Sequence, residues 1–150
     1  MFVEMGIVAA GHKSLPTEAW QHAVRTAVRD LATLCDRLEL NPAELSLADK
    51  AARDFPVFVP EPFLARIRPA TPLDPLLRQV LPLAAEDQPQ PGFDSDPLEE
   101  ASAAVVPGLL HKYHGRALLI VTGACAIHCR YCFRRHYPYS EAPKGLAGWQ

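Results

Sequence analysis

Between residues 102 and 140 the sequence holds no Asp or Glu, although the 150-residue chain carries 17 of them. Other absences narrow the field further. No apolar run approaches the length needed to cross a bilayer as a helix, which excludes a spanning segment of that kind. The opening stretch, "MFVEMGIVAAGHKS", has Glu4 where an export signal wants Lys or Arg, and it lacks a clean apolar centre, so no export is expected. A cytoplasmic, reducing location follows, and there clustered thiols serve metals more often than disulfides. The formal charge is only −2, so no global field favours nucleic acid or an anionic membrane. No internal repeat is visible.

What is present reads as a globular chain long enough for a sizeable core, with 49% hydrophobic and 21% charged residues. Its 15 prolines are about twice the usual share. Over 17–38, Trp20, Val24, Ala27, Val28, Leu31, Leu34, Cys35 and Leu38 recur at helical spacing. One amphipathic helix is expected there, capped by Ser14 or Thr17 and ended at Asn41-Pro42. A second short helix is expected over 43–54. "FPVFVPEPF" reads as an extended, proline-broken segment lying across other structure, and Asp74-Pro75 as a helix start with Leu76, Leu77, Val80 and Leu81 on its apolar face. Residues 84–96 read as a connector. After Pro107, "RALLIVTGAC" is an apolar run of strand length, expected to be a buried strand that delivers a loop from its end, as in parallel α/β sheets and barrels. One such strand cannot make a parallel sheet, so the chain is expected to be the opening of a longer protein. The division expected is a mainly helical, proline-rich region over 1–106 and the start of a barrel over 107–150.

Three of the four cysteines fall on the loop after that strand, in "GACAIHCRYCFRR". Cys35, on the apolar face of the first helix, reads as a buried inert thiol. Cys125, Cys129 and Cys132 are separated by three and two residues, which points to metal. With His136 they make a possible tetrahedral zinc set. A ferredoxin-like carrier would want a fourth cysteine. The third option uses the shortfall: three thiolates can hold three irons of a cubane and leave the fourth iron open.

That spacing, with an aromatic, Tyr131, just before the last cysteine, resembles the signature of the radical S-adenosylmethionine (SAM) enzymes. "GLLHKYHGRALLIVTGACAIHCRYCFRRHYPYSE", residues 108–141, is similar to the lysine 2,3-aminomutase family. Within it, the chain looks most like the branch that modifies elongation factor P, the (R)-β-lysylation proteins. The catabolic free-lysine enzymes carry Thr in place of Phe133 and a third Arg in place of His136. "DFPVFVPEPFLARI", "DPLLRQVLP" and "GFDSDPLEE" extend the likeness from Trp20 onward. The implied fold is α/β: an N-terminal helical region leading into the first strand and cluster loop of a partial radical SAM βα barrel, the rest of which lies beyond Gln150.

The resemblance implies a 4Fe-4S cluster on Cys125, Cys129 and Cys132, SAM on its open iron beside Tyr131, and pyridoxal phosphate (PLP). It implies free lysine as substrate, with β-lysine passed to a ligase that attaches it to elongation factor P. An external electron donor and a homo-oligomeric assembly belong to the same expectation; membrane and nucleic acid do not, although a radical SAM enzyme acting on RNA is an alternative. Arg134 stands where the family pairs an arginine with the lysine carboxylate, and Tyr113 and Arg116 stand where it lines the PLP site. Lys112 replaces a frequent arginine. Lys112, Arg116, Arg130, Arg134 and Arg135, without a counter-charge nearby in sequence, suit bound carboxylate and phosphate. His111, His114 and His128 read as loop packing or exposed residues, and Trp20 and Trp149 as packing residues. The family's PLP-anchoring lysine and the acids that hold the substrate amine lie distally; Lys13, Lys50, Lys112 and Lys144 do not match the anchor. No turnover is expected from these 150 residues alone.

Overall fold

The core is built by short elements that lean on one extended segment, not by a long helix. The computed structural model describes residues 17–141. The expected single N-terminal helix is two: α1 (Thr17–Arg25) and α2 (Leu31–Arg37). The break has a local cause. Val28 and Val59 exchange backbone N–H and C=O bonds of 2.9 Å in both directions, which pulls Val28 out of helical geometry. Asp30 then starts α2 afresh, its Oδ1 accepting from the Thr33 N–H at 2.8 Å. Trp20 is 53% exposed, so it is not the packing residue expected. Ser14 and Trp149 lie outside the described residues. Cys35 is buried and its thiol pKa is pushed up by burial, as an inert core thiol requires.

Asn41-Pro42 ends nothing; Asn41 caps a new 3-10 turn, Pro42–Glu44, through its side-chain oxygen. The helix expected over 43–54 is confined to α3 (Asp49–Asp54). The proline-broken segment behaves as its composition demands. Val57, Phe58 and Val59 are buried, Val59 bridges to Val28, and α4 (Glu61–Leu64) follows. Asp74 accepts from the Leu76 and Leu77 N–H groups and starts a 3-10 turn at Leu77–Gln79, which buries Leu77, Val80 and Leu81. These join Val28, Leu34, Cys35, Leu38, Val57, Val59, Leu64 and Ile67 in one cluster, with Ile127 of the cysteine loop packed against it. Burying a side chain such as Leu34 or Leu77 completely is worth about 1.5–3 kcal/mol.

The strand end of the chain departs most from expectation. After α5 (Glu100–Ala103) come β1 (Ala104–Val106), β2 (Leu109–Tyr113) and β3 (Arg116–Leu119), an antiparallel meander in the order β1-β2-β3. The run read as a buried strand of a parallel sheet is β3, and all four of its residues are exposed; Ile120 just after it is buried. The tight connection explains the pairing. Gly115 has φ of 73°, which lets the chain reverse within two residues and set Tyr113 opposite Arg116. Among the described residues the architecture is helical with one small antiparallel sheet, and no helix is long and apolar enough to cross a membrane.

Candidate functional site

The loop after β3 is held down by backbone carbonyls and carboxylates from distant parts of the chain. His128 donates its N–H to Phe58 O at 3.0 Å, and its Nδ1 lies 2.8 Å from Pro56 O. A carbonyl only accepts, so Nδ1 carries the proton. The imidazole stacks on Phe55, with centroids 4.7 Å apart. This is the packing role expected of His128. The Arg130 N–H donates to Gln79 O at 2.8 Å, and the Tyr131 hydroxyl reaches Gln79 Oε1 at 3.2 Å. Gly123 sits so close to Tyr139 that a Cβ there would lie 2.8 Å from that side chain.

On this platform Cys129 and Cys132 are half-buried and share a turn, the Cys132 N–H donating to Cys129 O at 3.1 Å, while Cys125 is exposed. Negative charge on Cys129 raises the pKa of the exposed Tyr131 hydroxyl. Burial raises that of Tyr139, and the charges of Cys132 and Cys125 push it the same way. Among the described residues no three His, Cys, Asp or Glu side chains converge as a ready metal site. His136 is not gathered with the thiols; it lines a cavity of about 440 Å³ with Asp96 and Phe133. Cys125, Cys129 and Cys132 are free thiols on one short loop and are likewise not gathered at a single point; three sulfur donors match in number a cluster that takes three protein ligands and leaves a fourth position to another molecule.

The arginines are not without counter-charges. Glu86, in a 3-10 turn (Ala84–Asp87) within the segment read as a connector, accepts from Arg130 Nη2 and Arg135 Nη1 at 2.7 Å each. Glu100 takes Arg134 at Nε and Nη2, with a closest approach of 2.7 Å. Burial alone would raise the Glu86 carboxyl; the hydrogen bonds from Arg130, the Leu83 N–H and Arg135 outweigh it and hold the group below the ordinary carboxylate range. Bonding to Glu100 likewise raises Arg134 above the usual guanidinium value. Glu86 and Glu100 are 44 and 34 residues from Arg130 and Arg134, so neither is legible by proximity. A charge balance would have found them: an acid-free window rich in arginine, folded into a core, must draw carboxylates from elsewhere.

A second cavity, of about 340 Å³, brings together Tyr113, Arg116, Arg134, Lys112 and Glu100. Tyr113 and Arg116 are register partners across the hairpin, both exposed. The Lys112 ammonium donates to Leu98 O and lies 5.9 Å from the Tyr113 ring. The Glu100 bonds occupy the Nε and Nη2 side of Arg134 and make no use of Nη1.

No family model matches the chain. Among curated proteins it is 48% identical over 134 residues to the L-lysine 2,3-aminomutase of Escherichia coli K12, covering 89% of this chain and 39% of that protein. The protein of the same name from Haemophilus influenzae Rd is 40% identical over 131 residues, covering 87% and 39%. That from Clostridium subterminale is 30% identical over 118 residues, covering 79% and 28%. The chain thus spans about two fifths or less of the length of these relatives.

Proposed function

Because the chain belongs, over the residues matched, to the N-terminal part of the lysine 2,3-aminomutase family, we propose that the complete protein is a radical SAM, PLP-dependent aminomutase that converts lysine to β-lysine. Cys125, Cys129 and Cys132 hold a 4Fe-4S cluster, and Tyr131 lies against SAM. When bound, the cluster with SAM supplies one-electron hydrogen abstraction, and PLP supplies the delocalisation that lets an amino nitrogen migrate. Tyr113 and Arg116 line the PLP pocket. Arg134 binds the lysine carboxylate, presenting Nη1 to it while Glu100 keeps the guanidinium oriented from the other side. The product passes to a ligase that attaches β-lysine to elongation factor P, electrons come from an external donor, and the reaction takes place in the reducing cytoplasm. A βα barrel formed by later residues excludes water from the radical.

The observation that carries this reading is the cavity uniting Tyr113, Arg116 and Arg134, three residues that the family likeness independently assigns to PLP and lysine. The complete gene product, reconstituted anaerobically, is expected to hold about four irons with broad visible absorption. Given lysine, SAM, PLP and reductant it should form β-lysine, and Cys→Ser at position 125, 129 or 132 should abolish both iron and product. One colourless zinc per chain, or no β-lysine, overturns the proposal.

A further inference from the structure

Glu86 lies in none of the motifs that mark the thiol loop, yet it is the anion on which that loop closes. Its carboxylate accepts from Arg130 Nε at 3.0 Å and Nη2 at 2.7 Å, from Arg135 Nη1 at 2.7 Å, and from the Leu83 N–H at 3.1 Å. Arg130 sits between Cys129 and Cys132, and Arg135 three residues beyond, so one carboxylate brackets the turn that carries both half-buried thiols. Two further guanidinium hydrogens of Arg130, one on Nη1 and one on Nη2, go to Phe55 O and Ala51 O. Both guanidinium groups lie against the Phe55 ring, 5.3 and 5.4 Å from its centre. The side chains of Arg130, Arg135 and Glu86 are only 6%, 15% and 16% exposed, and Arg135 Nε is buried without a partner. Two buried cations sharing one anion cannot keep this geometry once the anion is neutral.

We infer that Glu86 is the positioning residue of the metal-binding loop: it docks the Cys129–Cys132 turn on the helical layer and thereby sets where two of the three sulfur donors stand. It acts through Arg130 and Arg135 and touches no substrate. One arm of the test rests on the aminomutase reading; the other does not.

The complete protein is compared with its Glu86→Gln and Glu86→Asp variants by timed alkylation with iodoacetamide, each cysteine followed by mass spectrometry before metal is added. In the parent, Cys129 and Cys132 should react more slowly than exposed Cys125, and buried Cys35 should not react. Glu86→Gln should speed Cys129 and Cys132 at least about tenfold while Cys35 stays protected, since charged hydrogen bonds are lost from the loop but not from the core. Glu86→Asp should restore part of the protection. Unchanged rates at Cys129 and Cys132 in Glu86→Gln overturn the inference. Should Cys35 react as well, the fold has opened, and Arg135→Lys decides instead: an intermediate rise at Cys132 supports the role and an unchanged rate ends it. The second arm loads iron and follows its loss to a chelator, expected about tenfold faster in Glu86→Gln. If the parent takes up no iron, the aminomutase reading fails while the alkylation result still decides Glu86.

Discussion

Arginine chemistry separates three residues that look alike in "CRYCFRR". Arg130 is spent on Glu86 and two backbone carbonyls and Arg135 on Glu86, whereas Arg134 faces the cavity shared with Tyr113 and Arg116. Arg134→Lys keeps the charge but loses the planar fork, so in the complete enzyme it should raise KM for lysine by about tenfold or more. Steady-state kinetics across lysine concentrations check this, and an unchanged KM would deny Arg134 its carboxylate role. Gly123 is needed for space: an alanine Cβ would meet the Cβ, Cγ and Cδ1 of Tyr139 at 2.8 Å. Gly123→Ala should cost about 1–3 kcal/mol, read as a shifted urea midpoint. The cysteines were legible because their spacing is local. Glu86 and Glu100 were not, because charge pairing across 44 and 34 residues leaves no mark on either segment.

Elements follow the same division between local and distant causes. The caps at Asp30 and Asp74 act within three residues, and the sequence announces the Asp74-Pro75 start. The break between α1 and α2 needs Val59, 31 positions from Val28, so helical periodicity alone ran straight through it. Asp74 offers a pH test. The hydrogen bond from Arg68 is the main cause holding its carboxyl at about 2, and the Leu76 and Leu77 N–H groups assist against the opposing effect of burial. The unfolded chain binds this proton near the ordinary value of 3.8, the folded chain only near 2. The contribution to stability is therefore fully present above about pH 4 and is lost as pH falls through 2. Denaturation midpoints of the parent should fall over that interval more steeply than those of Asp74→Asn. Equal slopes would remove Asp74 from the acid response. Leu77→Ala, in the centre of the core, should cost about 2–5 kcal/mol by the same measurement.

At the scale of the whole molecule, the described residues form a helical layer with the sheet β1–β3 at one side. Val105, Val106, Leu118 and Leu119 are exposed on the two faces of that sheet, and Val121 is exposed just beyond β3. Exposed apolar side chains in this number on an isolated chain bind dyes. The 150 residues produced alone should enhance the fluorescence of a hydrophobic dye and form no β-lysine; a dye-silent chain would show that these side chains are covered, and product formation would show that a distal lysine is not required. Periodicity could not foresee an antiparallel meander, because an apolar run of four to ten residues suits a strand of either sense and either burial. The extended segment around Phe58 has a consequence in time. It pairs with Val28 and also receives the side chains of His128 and Arg130, 72 and 75 residues later. During synthesis the segment and its partners in α1–α4 leave the ribosome first, so the dock stands before the thiols arrive. A nascent chain stalled ahead of Cys125 should already resist protease across the first helices, so that under the proposed function metal insertion would close folding instead of triggering it.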